Sequence, residues 1–309
     1  MYYAPPQEIA TEVFATLPER LRVKGRRSGW SFGKDHAVLH SFLEGPSFDR
    51  EGNLLLVDIP YGRVLQLSPA AEWSVVAEYD GWPNGLKLHR DGRAFIADHK
   101  RGIMQLDLRT GTVTPVLEQV RREGFKGAND LTFASNGDLY FTDQGQTGLQ
   151  DPSGRVYRLR SDGQVDCLID NVPSPNGLVL SPDETALFVA VTRANQVWRL
   201  PLHPDGTTSK VFAFITLSGG LTGPDGLAID REGGLAVAHA GLGCVWLFDS
   251  LGQPRYRVQS CAGLATTNLA FGGPENRTLY ITESDTGTVL RAQTPVVGQK
   301  MFSHREHQA

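Results

Sequence analysis

The chain has 309 residues, 40% hydrophobic and 21% charged, with a formal net charge of −4 and no basic face, which argues against binding nucleic acid or an anionic membrane. The opening Met1-Tyr2-Tyr3-Ala4-Pro5-Pro6 lacks a cationic apolar leader, and no run reaches the ~18 apolar residues of a membrane-crossing helix. The three cysteines, Cys167, Cys244 and Cys261, are widely spaced and odd in number, which predicts a reducing, cytoplasmic setting with the thiols buried as small apolar groups.

From the N-terminus, residues 12–43 carry apolar pieces such as Val13-Phe14-Ala15 and Ala37-Val38-Leu39 before any repeat begins. The first repeat then follows. A strand starts at Pro46, Asp49-Arg50-Glu51-Gly52-Asn53 turns, and Leu54-Leu55-Leu56-Val57 forms a second strand. Tyr61-Gly62-Arg63 turns again into Val64-Leu65-Gln66-Leu67. The cycle recurs through turns such as Arg90-Asp91-Gly92-Arg93 and Ser135-Asn136-Gly137-Asp138, and through third strands such as Gln196-Val197-Trp198-Arg199-Leu200. Fourth strands are less regular, as expected of outer strands with one partner in their sheet. Glu118 to Glu123 reads as one short helical turn. Long helices are absent from the pattern, and the 34 glycines suit many tight turns.

One phrase opens each cycle. It reads Glu44-Gly45-Pro46, Pro83-Asn84-Gly85-Leu86, Ala128-Asn129-Asp130-Leu131, Pro175-Asn176-Gly177-Leu178, Pro224-Asp225-Gly226-Leu227 and Thr267-Asn268-Leu269. The polar residues are spaced by 40, 45, 47, 49 and 43 positions. A period near ~45 is the mark of a propeller blade. The expectation is an all-β, six-bladed β-propeller of four-stranded antiparallel blades, one domain over 1–309. Residues 12–43 would close the ring as the outer strand of the last blade, pairing near Thr288 to Arg291.

Each phrase precedes the strand nearest the axis, so Glu44, Asn84, Asn129, Asn176, Asp225 and Asn268 are expected to converge on one channel mouth. Two carboxylates with neutral amide oxygens form a hard donor set that selects Ca²⁺, Mg²⁺ or Mn²⁺. Asn-Gly and Asp-Gly are also ordinary turn dipeptides. Turn chemistry does not require a glutamate at blade one and an aspartate at blade five, which favours Glu44, Asn176 and Asp225 as metal ligands. Asn84 and Asn268 either face the site or only hold their loops. Asp130 either shapes its loop or holds a second cation. A second ring of candidate substrate contacts comes from the ends of the second strands, at Asp58, Asp98-His99, Asp143, Val191-Thr192-Arg193, His239 and Glu283-Ser284; His99 and His239 are the histidines placed there, either to meet substrate or as hydrogen-bonded structural residues. Asp58, Asp98 and Asp143 recur there in a way that suits structural hydrogen bonds. No nucleophile motif occurs, and Ser218-Gly219-Gly220-Leu221-Thr222-Gly223 lacks the features of a phosphate loop.

These residues resemble the senescence-marker-protein (regucalcin)/gluconolactonase family. The resemblance runs from Phe42 to Arg291. It rests on Leu43-Glu44-Gly45-Pro46-Ser47-Phe48, Gly137-Asp138-Leu139-Tyr140-Phe141-Thr142-Asp143, Asn129-Asp130-Leu131 and the phrases at 175, 224 and 266–273. The Gln144 to Val156 insertion looks like the bacterial lactonase branch. The resemblance implies a divalent cation, Ca²⁺ foremost with Mg²⁺, Mn²⁺ or Zn²⁺ as alternatives, on Glu44, Asn176 and Asp225. It implies Asp225 as general acid or base and Asn129 beside metal and substrate. Sugar-lactone members often carry an arginine two residues before that asparagine; here the position is Gly127, with Lys126 beside it. Trp82 and Phe125 near the mouth would suit a less polar lactone. The function implied is metal-dependent opening of a lactone. Other ester or phosphotriester hydrolysis at the same site, or calcium or ligand binding without turnover, are the alternatives. Asn129, Asn84, Lys126, His239 and His99 are the expected substrate contacts. The expected partner is a small lactone or ester, with oligomeric state left open.

Overall fold

The second strand of every repeat is buried along its length: Leu54–Asp58, Ala94–Asp98, Leu139–Asp143, Ala186–Val191, Leu235–Ala240 and, nearly so, Thr278–Glu283. A strand covered on both faces reads as a continuous apolar run. Here both faces are covered because each sheet packs against a neighbour on either side. The computed structural model describes residues 5–31 and 39–305. They form six antiparallel blades in a closed β-propeller. Separate apolar clusters fill the wedge between every adjacent pair of blades. The innermost strands are Leu43–Phe48, Pro83–Leu88, Ala128–Phe133, Pro175–Leu180, Gly223–Ile229 and Thr266–Gly272. Each packs against the inner strands of its two neighbours around the axis.

Each inner strand slips by one residue against its partner, and in every blade the slip falls at the repeated phrase. A bulge of this kind frees one residue from the ladder and re-aims its side chain. The phrase is thus a bulge signature inside a strand, where the sequence pattern had placed it just ahead of one.

Glu12–Thr16 is the outer strand of blade six, with Glu12 opposite Arg291 and Thr16 opposite Thr288. Ahead of it, Gln7–Ala10 adds a fifth, parallel strand to the outer edge of blade five. That strand was not anticipated. Ala37 and Val38 lie outside the described residues. Residues 118–123 do not form a helical turn. Gln119–Val120 and Glu123–Gly124 make a small hairpin, with Arg121 and Arg122 at φ 52° and 70°. Two consecutive left-handed residues are the geometry of a tight hairpin turn. Cys244 is buried as expected, but Cys167 and Cys261 are exposed on outer segments, and all three thiols are free. No helix among the described residues is long and apolar enough to cross a membrane.

The C-terminal segment crosses the far end of the axis. Phe302 stacks on Phe133 at 5.0 Å, Gln299 N–H bonds the Ile229 carbonyl, and Arg305 pairs with Glu184 at 3.0 Å. Only about 90 Å³ of space remains between this segment and the inner strands.

Candidate functional site

The opposite end of the axis opens into a cavity of about 840 Å³. The bulges deliver Glu44, Asn84, Asn129, Asn176 and Asp225 to its floor. In blade six, Thr266 sits opposite Glu283, as Leu43 sits opposite Asp58 and Pro224 opposite His239. The sixth place in the ring therefore belongs to Thr267, which lines the cavity; Asn268 does not. The repeat in the sequence is out of step by one at this blade, because the asparagine drew the alignment.

Asn268 falls one layer deeper, at the position of Gly45, Gly85, Gly177 and Gly226, and Asp130 shares that layer. The glycines leave room for these two side chains to cross the axis. A Cβ on Gly85 would lie 2.6 Å from Asp130 Oδ1, and one on Gly226 would lie 2.2 Å from Asn268 Oδ1. Asn268 Nδ2 donates to Glu44 Oε2 at 2.8 Å and to Asp130 Oδ2 at 3.4 Å. Gly45 N–H also donates to Glu44 Oε2, at 2.9 Å. Glu44 is only 3% exposed. Burial raises its carboxyl to about 7, against the pull of these donors, and the nearby Asp130 charge raises it further. Burial likewise raises Asp130. The two carboxyls face one small volume, and no basic side chain bonds to Glu44 among the described residues.

Asn129 Nδ2 donates to Gln144 Oε1 at 2.8 Å, and Gln144 Nε2 donates to Ser174 Oγ at 3.0 Å. The chain fixes the Asn129 amide with its Oδ1 left as the acceptor for the cavity. Ser174 holds φ at 67°, a rare value for a residue with a side chain, and is buried at the cavity wall. Gln144, Ser174, Arg193 and Asp285 all line the cavity; Arg193 belongs to the expected strand-end set, and sequence reasoning missed the other three. The available signal was position: Gln144 and Thr192 occupy the same place as His99, one residue beyond the end of a second strand.

His99 lines the cavity, and its ring lies on Gly127. A Cβ at Gly127 would sit 2.3 Å from His99 Cε1, so no longer side chain fits there. His239 is a different case and does not reach the cavity. It is one residue earlier in the strand pattern than His99, it is fully buried, and its Nδ1 accepts from Trp246 Nε1 at 3.2 Å. Burial lowers its pKa and favours the neutral ring. Lys126 also misses the cavity: it is exposed outside the wall, beside Gly145. Phe125 packs inward on Phe141 and Tyr157, and Trp82 sits beside Gly29 and Lys100, so neither lines the mouth. Asp58, Asp98 and Asp143 accept backbone N–H groups of Phe42, Lys100 and Gly127 at 2.7–2.8 Å.

Among the described residues no three His, Cys, Asp or Glu side chains cluster as a metal site. The ring instead mixes two carboxylates with amides, a donor set suited to a hard cation. A buried carboxyl with a raised pKa and no cationic partner is the environment that a divalent ion would relieve. The residues therefore fit such an ion.

Fold and site together define a six-bladed propeller with oxygen donors gathered at one axial mouth. The chain belongs to the SMP-30/gluconolactonase/LRE-like family, whose model matches residues 42–285. It is 31% identical to a gluconolactonase of Zymomonas mobilis over 286 residues, 82% of this chain and 79% of the relative. It is 33% identical to lactonase drp35 of Staphylococcus aureus over 226 residues, 69% and 68% of the two chains. Among solved structures, a gluconolactonase of Xanthomonas campestris matches with a TM-score of 0.73 at 25% identity, over 82% of this chain and 86% of that one. A calcium-binding regucalcin of Agrobacterium tumefaciens matches with a TM-score of 0.75 at 22% identity, over 98% and 100%.

Proposed function

We propose that this protein hydrolyses a lactone, using a divalent cation held by Glu44, Asn176 and Asp225. The observation that carries the reading is the mouth at which these oxygens meet, with a buried Glu44 carboxyl that no basic side chain among the described residues answers. The lactonase and gluconolactonase names of its relatives support the reaction class. When bound, the cation would polarise the lactone carbonyl and acidify a water. Ca²⁺ suits the hard, mixed oxygen set best, and Mg²⁺, Mn²⁺ or Zn²⁺ could substitute.

The chain's own residues supply the rest. Glu44 is fixed by Gly45 N–H and Asn268. Asn129, anchored through Gln144, and Asn84 orient the lactone on the floor. Asp225 takes a proton from the water as its oxygen bonds to the carbonyl carbon. The ring C–O bond then breaks, and the same proton passes from Asp225 to the departing ring oxygen, giving a hydroxy acid. The free thiols, two of them exposed, suit a reducing cytoplasm. The test is a panel of sugar, alkyl and aryl lactones followed with a pH indicator, with and without chelator. Absence of turnover across the panel in metal-loaded protein refutes the proposal.

A further inference from the structure

The mouth of the cavity is unlike its floor. Three large apolar side chains stand in solvent on its rim: Leu221 at 85% exposure, Leu149 at 71% and Leu264 at 50%. They come from three separate connections, inside blade three, before blade five and before blade six. Exposed leucines scattered singly need no explanation, but three converging on one opening do. Below them, on the blade-one side, Trp30, Phe42 and Ile59 form an apolar wall. Trp30 and Ile59 belong to the core cluster of blades one and two, with Phe42 packed against it, so this wall is rigid. Polar groups line the cavity as well: Gln144, Gln146 and Gln150 from the blade-three loop that also carries Leu149, with Arg193 and Asp285 from other blades.

We infer that the substrate is an amphiphilic lactone, its ring seated on the axial floor and an alkyl or aryl substituent lying along Trp30, Phe42 and Ile59 toward the rim leucines. The inference rests on the lactonase reading and adds its substrate class. A polyhydroxylated ring lying along the wall would place hydroxyls against Trp30, Phe42 and Ile59, where they lose hydrogen bonds to water and gain none. The close approach of His99 to Gly127 removes one place from which a longer polar side chain could reach such hydroxyls. An alkyl chain on the same surface is released from water instead.

The test uses the full-length, metal-loaded protein with γ-butyrolactone, its butyl- and octyl-substituted forms, a phenyl-substituted form and glucono-1,5-lactone. The expected result is a kcat/KM that climbs with chain length, by up to about fourfold per methylene that becomes buried. Leu221→Ser and Leu264→Ser change exposed positions and leave the fold intact. They should flatten that climb while leaving γ-butyrolactone turnover as it was. A flat series, or preference for glucono-1,5-lactone, overturns the inference and leaves the lactonase reading standing. Calorimetric binding of matching alkyl- and hydroxyl-substituted cyclic ketones, which cannot be hydrolysed, separates the two readings. Chain-length-dependent binding with no lactone turnover sinks the reaction and keeps the apolar subsite. Binding indifferent to chain length sinks the subsite.

Discussion

Glu44→Gln should stabilise the protein without metal and shrink the stabilisation that metal adds. The carboxyl is raised from 4.5 to about 7, first by burial. Its folded-state pKa lies above the unfolded one, so the folded chain holds the extra proton between those values. Metal-free wild-type protein therefore loses stability as pH rises from about 4.5 to 7, and the loss is complete above that. At ~1.4 kcal/mol per unit, the full effect is on the order of 3 kcal/mol. Glutamine keeps an oxygen to accept from Gly45 N–H and Asn268 Nδ2 but carries no charge, so its stability should fall less steeply as pH rises, the remaining fall coming from buried Asp130. With a cation at ~100 times its dissociation constant, the wild type regains about 2.7 kcal/mol, and the variant regains less. Urea unfolding from pH 4.5 to 8, in chelator and in millimolar Ca²⁺, reads both effects. Parallel pH profiles for the two proteins in chelator would refute the reasoning about Glu44.

Asp225→Asn keeps an oxygen donor and removes the base. Metal affinity should fall modestly while turnover at saturating metal drops by roughly 10²–10⁴-fold; near wild-type turnover would make Asp225 a ligand only. Chelation should abolish hydrolysis, and Ca²⁺, Mg²⁺, Mn²⁺ and Zn²⁺ should restore it to different degrees. Full activity in protein shown metal-free by elemental analysis contradicts this. Gly226→Ala would push a methyl to 2.2 Å from Asn268 Oδ1, costing about 1–3 kcal/mol in unfolding free energy. Asn268→Ala should absorb part of that cost in the double variant, the contact with the Asn268 Cα at 2.7 Å remaining, and strict additivity would mean the two side chains do not meet.

The propeller was legible because its evidence is periodic: six phrases in register constrain the fold more tightly than any one strand does. The same periodicity misled at blade six. There Thr267 occupies the ring, but Asn268 resembles the other phrases, and only strand register tells them apart. His239 and His99 show the same limit. One residue of offset turns one ring into the core and the other into the cavity, since side chains alternate faces along a strand. Lys126 and Phe125 were placed by proximity in sequence to Asn129, yet Lys126 is exposed beside Gly145 and Phe125 packs on Phe141 and Tyr157. Gln144 and Ser174 carry no motif. Their roles arise from a hydrogen-bond chain between two blades, a pairing that no local pattern encodes. The parallel strand Gln7–Ala10 was hidden for the same reason, since its partner lies almost the whole chain away.

Asp130 and Asn268 meet across the shaft directly beneath the ring, and residues 299–305 span its other end. The described residues thus form a vestibule with one doorway. On the proposed reaction, the hydroxy acid must leave by the route that admits the lactone. A second molecule of substrate cannot follow from behind to displace it. The product is also an anion, born beside the place proposed to hold a cation. Departure of the acid, more than arrival of the lactone, should then set the working rate, and added product should compete with substrate for the same opening.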